Sequence, residues 1–215
     1  MGLGSAEAKV TKKMKKPLTT LIIALFALMA QAQSPQQMLD KAVAALRSAG
    51  TVTASYQLKA TQGSNTGNIV MAGSKYRIIS RDMKCWYDGQ AQWTWSRATD
   101  EVNITTPTPE DLQLTNPIAA VADFKTNFNI WKSKGQIPGH YAIMMRPKKK
   151  SDVAQVYLYI NTSNNLLHIA HIKMTDGTTM TLTMTNYKTH QSLPASTFTF
   201  DKTMVPAGTQ VVDLR

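Results

Sequence analysis

Along this chain the spacing of apolar residues changes once, from a helical period to a strand period. Met38, Leu39, Ala42, Val43 and Leu46 recur at helical intervals and form one stripe. Ser34 stands ahead of them as an N-cap, Pro35 fits the first turn, Gln37 completes a capping box, and Gly50 ends the segment. The pattern predicts one helix there, docking its stripe on a sheet. Beyond Gly50 the period falls to two. Short runs over 51–61, 68–71, 76–79, 83–87, 92–95 and 101–105 are divided by Gly, Asp, Asn and Ser. A break follows at Thr106-Pro107-Thr108-Pro109-Glu110-Asp111. It leads to Leu112 and Leu114, and Asn116-Pro117 then opens 118–124, which predicts one or two short helices. Strand-like runs resume over 141–145, 153–160, 166–174, 178–187 and 197–200. Short, evenly spaced strands predict an antiparallel meander forming a sandwich or barrel, with no parallel strand–helix–strand unit.

One hairpin can be set in register from the sequence. Met180, Leu182 and Met184 alternate with Thr179, Thr181, Thr183 and Thr185. A three-residue loop Thr175-Asp176-Gly177, with Gly177 left-handed, pairs Met174 with Thr178, Ile172 with Met180, Ala170 with Leu182 and His168 with Met184. All the apolar residues then share a face. A two-residue loop would set Ile172 against Thr181 and mix the faces, so it is rejected. Around Asp88-Gly89 the parity stays open. A two-residue turn puts Trp86, Trp93 and Trp95 on one face, whereas a three-residue turn groups Trp93 and Trp95 with Cys85 and Met83.

Composition changes the picture mainly at the N-terminus. Met14-Lys15-Lys16-Pro17, the apolar stretch 18–29 and Ala30-Gln31-Ala32 follow the order of a secretory leader. The apolar part falls short of the ~20 residues that cross a bilayer. Cleavage is expected after Ala32, leaving 33–215 as one domain. Met14 is a possible alternative start to Met1, with 1–13 an upstream extension. The net charge is +11, of which 1–32 supply +4, leaving a basic domain suited to acidic partners or anionic membrane faces. Export argues against nucleic acid. Nine of the twelve methionines fall after residue 32, several on strands where Val or Ile is the usual filler. Met is flexible and polarisable, which suits an apolar surface that accepts guests of varied shape.

Reaction chemistry is not visible. The chain has no phosphate loop, no G-x-S-x-G elbow, no H-E-x-x-H and no C-x-x-C. Its three Glu, at 7, 101 and 110, make no paired-carboxylate pattern. His168 and His171 would point to opposite faces of a strand, and Cys85 among strand hydrophobics reads as a buried filler. No cofactor and no enzymatic activity are expected.

Several short motifs, in order, resemble one family. They are Gly73-Ser74-Lys75-Tyr76-Arg77, Trp86-Tyr87-Asp88-Gly89 with Trp93, Glu101-Val102-Asn103-Ile104 with Pro107, Glu110-Asp111-Leu112 with Asn116-Pro117, and Phe198-Thr199-Phe200 with Pro206-Ala207-Gly208-Thr209. Together they resemble the LolA outer-membrane lipoprotein carriers, in the divergent form of the Bacteroidetes branch. The resemblance implies a mostly β fold, an open antiparallel half-barrel with an N-terminal helix and a helical lid over an apolar cavity. It implies a monomeric periplasmic carrier of lipoprotein acyl chains, loaded by an inner-membrane transporter and unloaded to an outer-membrane acceptor. The basic-Pro pair of many members is replaced by Ala72-Gly73, so a directional role resting on that arginine does not transfer, and Arg77 is only a nearby substitute. On this reading the cavity wall is Ile69, Met71, Trp93, Trp95, Met144, Ile172, Met180, Leu182 and Met184, and the lid is Ile118, Val121 and Phe124. Arg77, Arg146, Lys148, Lys149 and Lys150 are the candidate partner-docking residues. Two other readings remain open: an extracytoplasmic lipoprotein sensor of similar fold, and a glycan-binding β-module presenting Trp86, Trp93 and Trp95.

Overall fold

The first helix forms as its capping signals dictate. In the computed structural model, which describes residues 33–61, 63–109, 111–112, 117–135 and 137–215, helix α1 spans Pro35–Ser48. Ser34 Oγ accepts from the Gln37 amide at 3.1 Å, and Gln37 Oε1 accepts from the Ser34 amide at 2.8 Å. Gly50 takes a positive φ of 63° just past the end. The leader 1–32 lies outside the described residues, as do the side chains at 117–119, 121 and 122.

Among the described residues twelve strands follow, in one sheet. They are β1 (Thr51–Ala60), β2 (Gly63–Ala72), β3 (Lys75–Ser80), β4 (Met83–Tyr87), β5 (Gln92–Ser96) and β6 (Glu101–Thr105), then β7 (Phe128–Lys132), β8 (His140–Pro147), β9 (Val153–Asn161), β10 (Leu167–Met174), β11 (Thr179–Lys188) and β12 (Gln210–Asp213). Helix α2, Pro117–Asn127, runs into β7 without a connecting residue. Spatial order is β12-β6-β5-β4-β3-β2-β1-β11-β10-β9-β8-β7. Two antiparallel meanders, β1 to β6 and β7 to β11, are therefore joined by the pairing of the first strand with β11. The sheet does not close, and β7 and β12 are its edges. This is the open half-barrel.

Three details differ from the sequence pattern. Phe128–Lys132 is a strand where none is predicted, because its inward positions carry only two apolar residues, Phe128 and Ile130, and no turn residue separates the run from α2. Residues 197–200 are not a strand: Ala195–Phe198 is a 3-10 turn following Pro194, and Thr197 and Phe198 are buried. Finally, β12 pairs parallel with β6, the one departure from antiparallel pairing in the sheet. It arises because the C-terminal segment crosses the outer face before it reaches the edge.

Pairing register fixes which side chains share a face. On the inner face α1 buries Met38, Leu39 and Ala42 against Ile143, Met145, Val156, Leu158, Ile160 and Ala170. Leu182 and Ile172 border that cluster. On the outer face Trp86, Trp95 and Val102 pack under Phe200, Met204 and Val205 of the C-terminal segment. Trp86 is 1% exposed and its ring lies 5.5 Å from that of Phe200.

Candidate functional site: the inner face of the half-barrel

The β10–β11 hairpin takes the register read from its alternation. Ile172 pairs with Met180 and Ala170 with Leu182, while the Met174 amide donates to Thr178 O at 2.9 Å and Gly177 has φ 88°. Across the join, Leu182 pairs with Leu58 and Met184 with Tyr56. Tyr56 in turn faces Gly67, and two residues along β2 are Ile69 and then Met71. The parity carries the same inner surface onward through Ile78 and Tyr76 to Cys85 and Tyr87. Six of the expected wall residues, Ile69, Met71, Ile172, Met180, Leu182 and Met184, thus lie on one continuous face. Of these only Met184 is buried; the others remain partly exposed.

Gly67 is needed where it stands. A Cβ there would lie 2.3 Å from the Ile79 carbonyl oxygen and 2.8 Å from the Tyr56 ring, so the missing side chain is what lets Tyr56 lie across the inner face. Burial raises the Tyr56 hydroxyl pKa, and a hydrogen bond with Ser80 acts against that shift.

The apolar surface ends in a polar border. Beyond Cys85 the inner positions of β5 and β6 are Gln92, Thr94, Ser96, Glu101, Asn103 and Thr105. Tyr76 donates to Gln92 Oε1 at 2.6 Å, and Thr94 Oγ1 contacts Cys85 Sγ at 3.6 Å. Burial pushes the Cys85 thiol up to about 11, so it is an inert filler at neutral pH.

Three expected wall residues belong elsewhere. Trp93 pairs with Trp86, and Trp95 with Lys84, on the outer face opposite Ile69 and Met71. Tyr87 pairs with Gln92, which closes a four-residue loop of even parity and settles all three tryptophans on that outer side. Met144 pairs with Trp131 and Tyr157, also outside; its neighbour Met145 is the inward, fully buried methionine. Of the three tryptophans named for the glycan reading, Trp86 and Trp95 are buried and Trp93 is partly buried beside them.

Of the expected lid residues, Phe124 packs on the α1 cluster and meets Phe128 edge-on, with centroids 5.2 Å apart. The side chains of Ile118 and Val121 lie outside the described residues, although both positions are in α2. Lys125 on α2 pairs with Asp40 on α1 at 2.6 Å. Leu112, from the break between β6 and α2, packs beside Met71, Ile78 and Met83. Leu58, Tyr56, Ile78, Met83 and Leu112 were missed as inner-face residues. The alternation of Tyr76 with Ile78 and the partnering of β1 with the methionine strand were the signals available.

The basic residues do not form one group. Arg77 is on the outer face opposite Trp86, with β2, β1, β11, β10 and β9 between it and β8. Its Nε and the Trp86 Nε1 are buried without hydrogen-bond partners among the described residues. Arg146, Lys149 and Lys150 are exposed beside β7. Lys148 is engaged: its amide donates to Asn127 O at 2.8 Å and its Nζ to Thr126 O at 2.7 Å, tying the β8–β9 turn to the end of α2. His168 sits at a bulge that breaks strict alternation, and its Nδ1 lies 2.7 Å from His140 Nε2.

Residues 24–178 match the family described as outer membrane lipoprotein carrier protein LolA. The chain belongs to that family. It is a family of carrier proteins. Among solved structures, an uncharacterised conserved protein of Thermus thermophilus superposes with a TM-score of 0.59 at 13% identity, over 83% of this chain and 98% of that one. A LolA superfamily protein of Nitrosomonas europaea gives 0.42 at 13% identity, over 79% and 99%. The MucA/MucB complex structure of Pseudomonas aeruginosa gives 0.46 at 10% identity, over 78% of this chain and 61% of the matched one. No curated protein sequence matches the chain.

Proposed function

We propose that this protein is a periplasmic carrier that takes up the acyl chains of lipoproteins on its inner face and delivers them to the outer membrane. One observation carries the reading. Ile69, Met71, Ile172, Met180 and Leu182 stay partly exposed on the very face that α1 seals elsewhere. An apolar strip left open beside a closed core is where a hydrophobic guest gains most.

The affinity must be limited. Each fully buried methylene contributes about 0.8 kcal/mol, so complete burial of several chains would make release too slow for a carrier. A surface of flexible methionines gives partial burial, and a helix that can move aside gives reversible opening. The polar border at Gln92 and Thr94 sets where apolar contact stops.

The test is acyl-chain capture. Lipids that co-purify with the mature protein are to be identified by mass spectrometry, and loading of a fluorescent acylated peptide compared between the natural protein and Leu182→Glu. The carboxylate lies in the middle of the strip, between Leu58 and Ala170, and is expected to abolish loading while the circular dichroism stays strand-like. Loading by Leu182→Glu equal to that of the natural protein would overturn the assignment.

A further inference from the structure

The two halves of the outer face are treated differently by the fold. Over β3 to β6 the C-terminal segment covers it, burying Trp86 and Trp95. Over β7 to β9, Trp131, Met144 and Tyr157 stand side by side in adjacent strands. Trp131 is 44% exposed at the sheet edge, and Met144 and Tyr157 are partly buried.

Cations flank this row. The next row of the same face runs from Asn129 through Arg146 and Gln155 to Lys173, and both charged members are exposed. The turn after β8 adds Lys149 and Lys150, also exposed. None of these four makes an ion pair among the described residues; Asp152 and Asp176, in the neighbouring turns, are the acidic groups at that end.

From this juxtaposition we infer that the outer face of β7–β9 is a membrane-docking surface that rests on anionic phospholipid headgroups. Trp and Tyr have an apolar body and a polar tip, which places them at the boundary between headgroups and acyl chains. Long basic side chains beside them meet lipid phosphates. An outward sheet face with an aromatic row beside exposed cations fits a lipid surface, whereas an acidic peptide would favour a groove. The surface is on the opposite side of the sheet from the acyl-binding strip. It therefore stands whether or not that strip carries lipoproteins, and it would hold a carrier at a bilayer with its inner face free.

The experiment is co-sedimentation of the full protein, without its leader, with phosphatidylcholine vesicles that do or do not contain phosphatidylglycerol. Binding is expected only to the anionic vesicles, weakening as salt rises. Lys149→Gln and Lys150→Gln should each lower partitioning about fivefold. Trp131→Ala should also weaken it, and most of the quenching of tryptophan fluorescence by brominated lipid should be lost in that variant, because Trp86 and Trp95 are buried and Trp93 is packed beside them under the C-terminal segment. Leu182→Glu should sediment like the natural protein, which separates docking from loading. Equal binding to neutral and anionic vesicles, or binding unaffected by both the lysine and the tryptophan changes, would overturn the inference. So would competition by free glycerol phosphate or polyglutamate as effective as competition by the bilayer.

Discussion

At the scale of single residues, the inner face depends on what is absent at Gly67. Tyr56 is directly across from it, and the Ile79 carbonyl occupies the position a Cβ would take. That carbonyl is backbone in the neighbouring strand and cannot swing away, unlike the end of a flexible side chain. Gly67→Ala is therefore expected to cost about 1–3 kcal/mol, as overpacking usually does, read as a lower urea midpoint. It should also lift Tyr56 from the strip and weaken acyl loading. A midpoint equal to that of the natural protein would mean that β2 and β3 adjust more freely than their register implies. Trp95 shows how close contacts also set a charge. Its indole N–H donates to Asp100 at 3.0 Å and the Thr209 hydroxyl donates at 2.8 Å, and the indole bond is the larger cause of a carboxyl held below the usual range.

At the scale of elements, that carboxylate links β5 to the segment leading into β12. Because folding favours its ionised form, the stability it adds is present above the ordinary carboxylate pKa of about 3.9 and is lost as pH falls through the lower folded value. Asp100 has φ 51°, a conformation Asn tolerates, so Asp100→Asn keeps the backbone and removes the charge. The variant should have a lower urea midpoint than the natural protein at pH 7, and the gap should shrink below about pH 4. A gap unchanged by acid would show that the charge contributes nothing. The elements themselves were unequally legible. The β10–β11 hairpin could be registered because Met180, Leu182 and Met184 alternate with threonines and only one loop length keeps Ile172 and Ala170 on their side. α1 announced itself through Ser34, Pro35 and Gln37. By contrast β7 follows α2 without punctuation, and β12 is a four-residue parallel edge whose partner β6 lies more than a hundred positions earlier. Such pairing leaves no local period. For the site the limit was parity. Met144 and Met145 are equivalent in composition, and only the register of Met145 against Ile130 and Val156 shows which turns inward. Trp93 and Trp95 hinged on a loop length that Asp88-Gly89 does not specify.

At the scale of the whole molecule, a carrier must open, and the fold limits where. α1 is fixed by its buried stripe, whereas among the described side chains α2 is held by Phe124, by Lys148 at its C-terminal carbonyls and by the pair Lys125–Asp40. Both partners of that pair are exposed, and an exposed ion pair contributes only about 0–1 kcal/mol. It is a weak latch joining the two helices over the inner face. Removing it should matter little: Asp40→Ala should leave the urea midpoint within about 1 kcal/mol of the natural value and loading of an acylated peptide unimpaired. Locking it should matter greatly. With Asp40→Cys and Lys125→Cys joined by a short bismaleimide, α2 could no longer move away from α1, and loading should stop while the same double variant left uncoupled still loads. Cys85 does not complicate the chemistry, since its thiol is buried and pushed up to about 11. If the coupled protein loads as fast as the uncoupled one, the guest enters without separation of the two helices. The open route would then be the side of the strip lined by Ile69 and Met71, beneath Leu112.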